Sequence, residues 1–131
     1  MVDFYIGGEL WKGRSWKEGL IHAKEFTVPY QDRRALIVCD SLIASDFVED
    51  GSLDFVFIDA DHSYEGCKND LLYWGKKVRK GGMITGHDYF DWPKSRNMEW
   101  GVVQAVDEYC DKHQYELSVY KRTVWSTVKT N

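Results

Sequence analysis

The chain has 131 residues, and 44% of them are hydrophobic, which is enough apolar material for one core but not for a second. Its formal net charge of −4 argues against nucleic acid or an anionic membrane as a partner, because such binding needs a basic face. No apolar run approaches the roughly 20 residues of a membrane span, and no signal-peptide pattern opens the chain. We therefore expect a single domain over residues 1–131, cytoplasmic, whose partners are small molecules or other proteins.

The three cysteines support the same compartment. Cys39, Cys67 and Cys110 are scattered and odd in number, and they lie within apolar patterns. This distribution predicts buried free thiols in a reducing environment rather than a disulfide framework.

The first 33 residues form a poorly defined N-terminal part. They are rich in glycine and aromatic residues and show no clean hydrophobic period. They predict only a short strand at Val2 to Ile6 and a helix around Trp16 to Phe26.

From Arg34 onward, the chain alternates between buried strands and amphipathic helices, which is typical of a parallel α/β sheet. The predicted strands are Ala35–Cys39, Leu53–Ile58 and Met83–Gly86, followed by a hairpin at Tyr115–Tyr120 and Thr123–Lys129. The predicted helices are a turn at Leu42–Glu49, a helix from the cap Ser63 to about Arg79 that Gly81-Gly82 ends, and a helix near Gly101–Lys112.

Acidic and histidine side chains follow two of these strands, as Asp59, Asp61 and His62 after the first and His87 and Asp88 after the second. If the two strands are neighbours, these residues converge, because ligands bind beyond the carboxyl ends of parallel strands. Carboxylates with an occasional imidazole suit Mg²⁺ or Mn²⁺.

A structural interpretation stands beside the functional one. Asp61 or Ser63 caps the following helix, His62 packs on Tyr64, and Asp88 caps a turn. This interpretation is plausible for any one residue. It is strained for the whole set, because burying several like charges without a cation or ligand is costly.

The two acidic motifs resemble those of a known family. The stretch GSLDFVFIDADHSYEGCKNDLLYWGKKVRKGGMITGHDYF and the later GVVQAVDEY resemble class I S-adenosylmethionine-dependent methyltransferases, in the small-molecule branch with a FIDGDHSY-like motif after strand 4 and GGxxxGHDY after strand 5. The resemblance covers roughly Lys24 to Tyr109. It implies an α/β, Rossmann-like sheet, mostly parallel with a C-terminal antiparallel hairpin, and methyl transfer to an oxygen or nitrogen of a small-molecule acceptor.

The resemblance also implies roles for individual residues. Asp59, His87 and Asp88 occupy positions where metal-dependent relatives hold a cation, which makes them both the catalytic and the metal set. His87 departs from the Asp-Asn-like pair of those relatives and is instead a candidate general base. The implied cofactor-binding set is Asp3 at the ribose, Asp40 and Ser41 at the edge of the adenine pocket, and Asp59, Asp61 and His62 after strand 4.

One expected part of the family is not found. Strand 1 and its glycine-rich turn should come first, and YIGGELWKGRS could be that turn, but the positions from Gly7 to Asp59 then leave little room for two helices and two strands. We therefore expect the chain to start at strand 2, with an incomplete sheet. Since strand 1 is central, strand 3 or the N-terminal segment must move beside strand 4, or a second copy or a partner chain must cover the gap.

Two other functions remain open. One is a truncated, inactive descendant that serves as a binding module, which the missing glycine-rich loop favours and the retained acidic cluster opposes. The other is a metal-dependent hydrolase that uses D-x-D-H and HD to activate water. The support for a hydrolase is only that aspartate and histidine are common metal ligands.

Overall fold

The computed structural model describes residues 2–3, 16–90 and 100–131. Residues 4–6 of the predicted first strand, the YIGGELWKGRS segment up to Ser15, and most of the loop between Phe90 and Trp100 lie outside this range. Contacts between residues divide the chain into two compact units, Met1–Ala44 and Ser45–Asn131. None of the helices in the described ranges has both the length and the apolar character needed to cross a membrane.

The first unit contains a short parallel strand pair and a helix. Strand β1 (Val2–Asp3) lies beside β2 (Ile37–Val38), with Asp3 opposite Val38. Helix α1 spans Trp16–Phe26, as predicted, and a 3₁₀ turn follows at Val28–Tyr30. The helix ends there because Thr27 bonds its hydroxyl to the Ala23 carbonyl and Pro29 has no N–H to continue the ladder. Helix α2 (Ser41–Ser45) comes after β2.

The second unit is built on a mixed four-stranded sheet in the order β3-β4-β6-β5, from Leu53–Ile58, Val78–Gly86, Val124–Val128 and Leu117–Tyr120. Strands β3 and β4 are parallel and are connected by helix α3 (Tyr64–Lys77). The last two strands form the predicted antiparallel hairpin, and β6 pairs antiparallel with β4. The α/β class is confirmed.

One face of this sheet carries the core. Helices α3 and α4 (Val102–His113) pack together and cover it, enclosing Leu71, Ile84, Val106 and Trp125 at 1% exposure or less. Each such side chain contributes about 1.5–3 kcal/mol by leaving water. Helix α3 begins where predicted, because the Ser63 hydroxyl accepts the Gly66 N–H at 3.1 Å.

The end of α3 differs from the prediction. The helix stops at Lys77 and not near Arg79, and Val78 already belongs to β4, so the Gly81-Gly82 pair lies inside the strand. The Lys129 ammonium makes this early stop favourable, because it donates to the carbonyls of Gly75 at 3.1 Å and Val78 at 2.8 Å. A charged side chain distant in sequence thus replaces the glycine cap.

The opposite face of the sheet is exposed. Side chains alternate along β3, so that Val56 and Ile58 meet the core while Phe55 and Phe57 are 59% and 49% exposed. Met83, opposite Phe55 on β4, is exposed as well. Among the described strands, β3 pairs with β4 alone, so it lies at an edge of its sheet.

Candidate active site

Two loops meet at the carboxyl ends of β3 and β4. The prediction that these strands are neighbours is confirmed, with Ile58 opposite Gly86 at their last pair. The His87 N–H donates to the Ile58 carbonyl at 3.1 Å, which ties the second loop to the end of the first strand. Only glycine fits at position 86, since a Cβ there would overlap the Ile58 carbonyl oxygen and the Trp125 ring.

His62 lies at the centre of the site. Its Nε2 is 2.6 Å from Asp88 Oδ2 and 3.5 Å from Asp59 Oδ1. The Asp88 side chain is 17% exposed, the His62 side chain 34% and the Asp59 side chain 50%, so the group is open to solvent on the Asp59 side. Because Nε2 faces both carboxylates, it is the nitrogen that donates, and in the neutral ring Nδ1 carries the lone pair.

The electrostatics favour a charged pair. Hydrogen bonding to Asp59 and the negative charge of Asp88 raise the pKa of His62, and partial burial only in part opposes them. The hydrogen bond from His62 lowers the pKa of Asp59, with a further contribution from the positive charge of His87 and His62. The imidazolium form is therefore stabilised by this site.

The Asp88 backbone is unusual. Its φ of 60° lies in the left-handed region, which aspartate tolerates better than most residues. This conformation lets its two carboxylate oxygens serve two histidines, since Oδ2 meets His62 and Oδ1 lies 3.1 Å from His87 Nδ1. Backbone strain of this kind is concentrated at functional sites, where the surroundings maintain it.

Asp61 takes a structural position. Its Oδ1 accepts the Ser63 N–H at 2.9 Å, and its carboxyl group fills the space beside Gly66, where a Cβ would collide with it. Asp61 and Ser63 thus both stabilise the first turn of α3, as the structural interpretation of the sequence proposed. The role of Asp61 toward the cofactor stays a prediction.

Three of the predicted cofactor residues lie in the first unit. Asp3 ends the described part of β1, opposite Val38, and Asp40 and Ser41 follow the neighbouring strand at the same end of the pair. Asp40 Oδ1 accepts the N–H groups of Leu42 at 2.9 Å and Ile43 at 3.3 Å, so it caps α2. Their contact with adenosine stays a prediction.

The same residues could hold a divalent cation. Within the described ranges, Asp59, His62 and Asp88 each offer one ligand atom, all within 4.8 Å of one another. Two carboxylate oxygens and an imidazole nitrogen are a donor set that suits Mn²⁺, and Mg²⁺ less well. The geometric group contains His62 where the resemblance implied His87. The i, i+3 spacing of Asp59 and His62 was the signal in the sequence that could have indicated His62 as a ligand.

Trp100 is a residue of the site that the motifs did not indicate. Its indole lies 4.6 Å from the His62 ring, centroid to centroid, with the two planes only 10° apart. No motif in the loop before it pointed to this contact, because it depends on where α4 begins relative to the first loop.

Comparison with known proteins assigns the chain to a family. A family model described as a methyltransferase domain matches residues 5–89, more than half of the chain, and the chain therefore belongs to this methyltransferase domain family. Uncharacterized protein R132 of Acanthamoeba polyphaga mimivirus is 45% identical over 40 residues, which are 30% of this chain and 18% of that protein.

Solved structures show the same fold. A protein from Corynebacterium glutamicum superposes with a TM-score of 0.65 at 14% identity, over 88% of this chain and 57% of that one. A candidate caffeoyl-CoA O-methyltransferase from Staphylococcus aureus superposes with a TM-score of 0.66 at 15% identity, over 86% of this chain and 60% of that one. MycE methyltransferase of the mycinamycin biosynthetic pathway, in complex with Mg, SAH and mycinamycin VI, superposes with a TM-score of 0.59 at 16% identity, over 99% of this chain and 44% of that one. The chain thus spans roughly half of these proteins, and at such identities the likeness establishes the Rossmann-like fold alone.

Proposed function

We propose that this protein transfers a methyl group from S-adenosylmethionine to an oxygen or nitrogen of a small-molecule acceptor. The observation that carries the proposal is the His62–Asp88 pair, which lies at the carboxyl ends of β3 and β4 in a chain of the methyltransferase domain family. This edge of an open α/β sheet is where ligands bind.

The reaction is an in-line displacement. The acceptor lone pair forms a bond to the methyl carbon while the carbon–sulfur bond breaks, and the sulfur keeps the electron pair as a neutral thioether. The acceptor proton goes to Nδ1 of the neutral His62 ring, because Nε2 donates to Asp88, and the raised pKa of His62 makes this ring a stronger base once the pH is high enough for it to be neutral. Asp88 sets this tautomer and stabilises the imidazolium that forms. Alignment of the two reactants provides the larger part of the rate gain.

A cation would change the role of His62. Asp59, His62 and Asp88 are the residues that would hold it, and when bound it would lower the pKa of an acceptor hydroxyl and orient that group. His62 Nε2 would then be a ligand, and its other nitrogen would carry a proton and could not act as the base. His87, beside Asp88, would be the remaining histidine of the site. Metal dependence and the use of His62 as the base are therefore mutually exclusive.

The first test is calorimetric titration of S-adenosylhomocysteine into the purified chain, with and without Mg²⁺ or Mn²⁺. We expect micromolar binding, followed by formation of S-adenosylhomocysteine from S-adenosylmethionine when acceptors with phenol, sugar hydroxyl or amine groups are supplied. Absence of binding under every condition would contradict the proposal and favour the inactive binding module.

Histidine variants then identify the base. We expect His62→Gln to lower kcat by roughly 10²–10⁴-fold without added metal, while His87→Gln, the matched control in the neighbouring loop, changes it far less. A larger loss for His87→Gln would assign the base to His87, as the resemblance implied. If His62→Gln lowers kcat only in the presence of metal, His62 is a metal ligand and not the base.

The cellular compartment is also a proposal. Cys67 and Cys110 are buried free thiols, and Cys39 is free and half-buried, which fits a reducing cytoplasmic compartment. Burial raises the pKa of Cys67 to about 12, so this thiol is inert and takes no part in the chemistry.

A further inference from the structure

Trp100 contacts both members of the proposed catalytic pair. Its ring stacks on the His62 imidazole, and its indole Nε1 donates to the main-chain carbonyl of Asp88 at 3.4 Å. The Phe90 ring packs on the same indole, with centroids 5.3 Å apart. One side chain therefore bridges the loop after β3 and the loop after β4.

The backbone next to Trp100 also contacts the loop that carries His62. The Gly101 N–H donates to the His62 carbonyl at 2.9 Å. A Cβ at Gly101 would overlap the backbone of Tyr64, so only glycine allows α4 to begin this close to the first loop. The position of the indole is thus defined by the same segment that carries His62.

Trp100 also supports the unusual conformation of Asp88. A left-handed φ of 60° persists only where neighbouring groups maintain it. The indole N–H holds the Asp88 carbonyl on one side, and the Tyr89 N–H, bonded to the Thr123 carbonyl at 3.0 Å, holds the next peptide. Loss of the indole would release the carboxylate that sets the His62 tautomer.

We propose that Trp100 is a positioning residue, which keeps the His62 ring and the Asp88 carboxylate within proton-transfer distance of the acceptor. The inference rests on the proposed methyl transfer, since it assigns Trp100 a role in that same site. Trp100 acts through His62 and does not itself exchange a proton.

The test separates the stacking of the indole on His62 from its hydrogen bond to Asp88. Trp100→Phe keeps a stacked ring but loses the N–H, and Trp100→Leu loses both. We expect kcat to fall about tenfold in Trp100→Phe and roughly a hundredfold in Trp100→Leu, with KM for S-adenosylmethionine within twofold of wild type. Trp74→Phe, a buried tryptophan of α3 away from the site, is the matched control and should leave kcat unchanged.

A double-mutant cycle distinguishes positioning from general support of the fold. In the His62→Gln background, Trp100→Leu should lower kcat no further, because the group it positions is gone. A purely structural role would lower kcat by the same factor in both backgrounds and would overturn the inference. The ring-proton resonances of His62 provide a second readout: we expect an upfield ring-current shift in wild type that is lost in Trp100→Leu and kept in Trp100→Phe.

The two proposals fail in different ways. A wild-type chain that neither binds S-adenosylhomocysteine nor forms it overturns the proposed function, and the inference with it. An active wild type whose Trp100 variants have unchanged kcat overturns the positioning role alone. If Trp100→Leu does not fold, Trp100→Phe and the resonances of His62 still decide the matter.

Discussion

His62 has two carboxylate partners and a stacked indole, and the proposed reaction uses the same imidazole that these contacts hold in place. Neither carboxylate is adjacent to it in sequence. Asp59 comes within reach through the turn after β3, and Asp88 through the pairing of β3 with β4. The contacts favour the charged form of the ring, and this preference has a measurable consequence for folding.

We predict that stability falls with rising pH because of His62. The pKa of His62 is raised in the folded chain, so its contribution is fully present below the unfolded value near 6.5 and is lost as the pH rises through the folded value. Urea unfolding at several pH values should show this decline in wild type. Glutamine at this position cannot titrate, so His62→Gln should show a flatter profile as the pH rises above about 6.5. An equal slope in both proteins would contradict the prediction.

The same site behaves differently in acid. The pKa of Asp59 is lowered in the folded chain, so its contribution is present above the unfolded value and is lost as the pH falls through the lowered one. The pair is therefore most stable in the range where Asp59 is ionised and His62 is protonated.

At the scale of elements, the junction between α3 and β4 depends on one distant lysine. Lys129 lies just after β6, and its ammonium satisfies carbonyls at the end of α3, while Lys77 and Arg79 pair with Asp50 and Asp54 nearby. The sequence of the helix alone does not predict where it stops, because the group that caps it follows a distant strand.

We predict that Lys129→Met destabilises the second unit by roughly 1–3 kcal/mol, since the carbonyls of Gly75 and Val78 lose a charged donor. Lys112→Met, at an exposed position in the last turn of α4, is the matched control and should change stability by no more than about 0.5 kcal/mol. Urea unfolding measures both. Equal effects would mean that Lys129 contributes only surface charge.

At the scale of the whole molecule, one face of β3 is exposed to solvent, whereas a complete α/β sheet would cover it. Parallel strands are ordinarily covered on both faces, yet Phe55, Phe57 and Met83 are exposed on the face opposite the helices, and β3 lies at an edge among the described strands. The expectation that a second copy or a partner chain covers this edge stays a prediction.

Sedimentation at increasing concentration tests that expectation. We expect self-association that Phe57→Lys weakens, because a charge on the apolar face opposes its burial. Lys80→Glu, a charge change at an exposed position of β4, is the control and should leave association unchanged. A monomer at every concentration, with the β3 amides protected from hydrogen exchange, would mean that the chain covers its own edge.

Much of the architecture could be predicted because its signals are local. The Ser63 cap, the apolar stripe of α3 and the alternation of the hairpin each involve residues a few positions apart, and the structure confirms those elements. The meeting of the two acidic loops also followed, because parallel neighbours end at one edge.

The sequence by itself determined the order of the elements, the α/β class and the loops in which the candidate site residues lie, since these depend on period, caps and strand ends. Only the tertiary structure decided which histidine meets which carboxylate. His62 and Asp88 are 26 positions apart and come within 2.6 Å only through the β3–β4 register and the left-handed turn at Asp88. The stacking of Trp100 and the cap from Lys129 were decided in the same way, because packing between distant segments leaves no periodic signal.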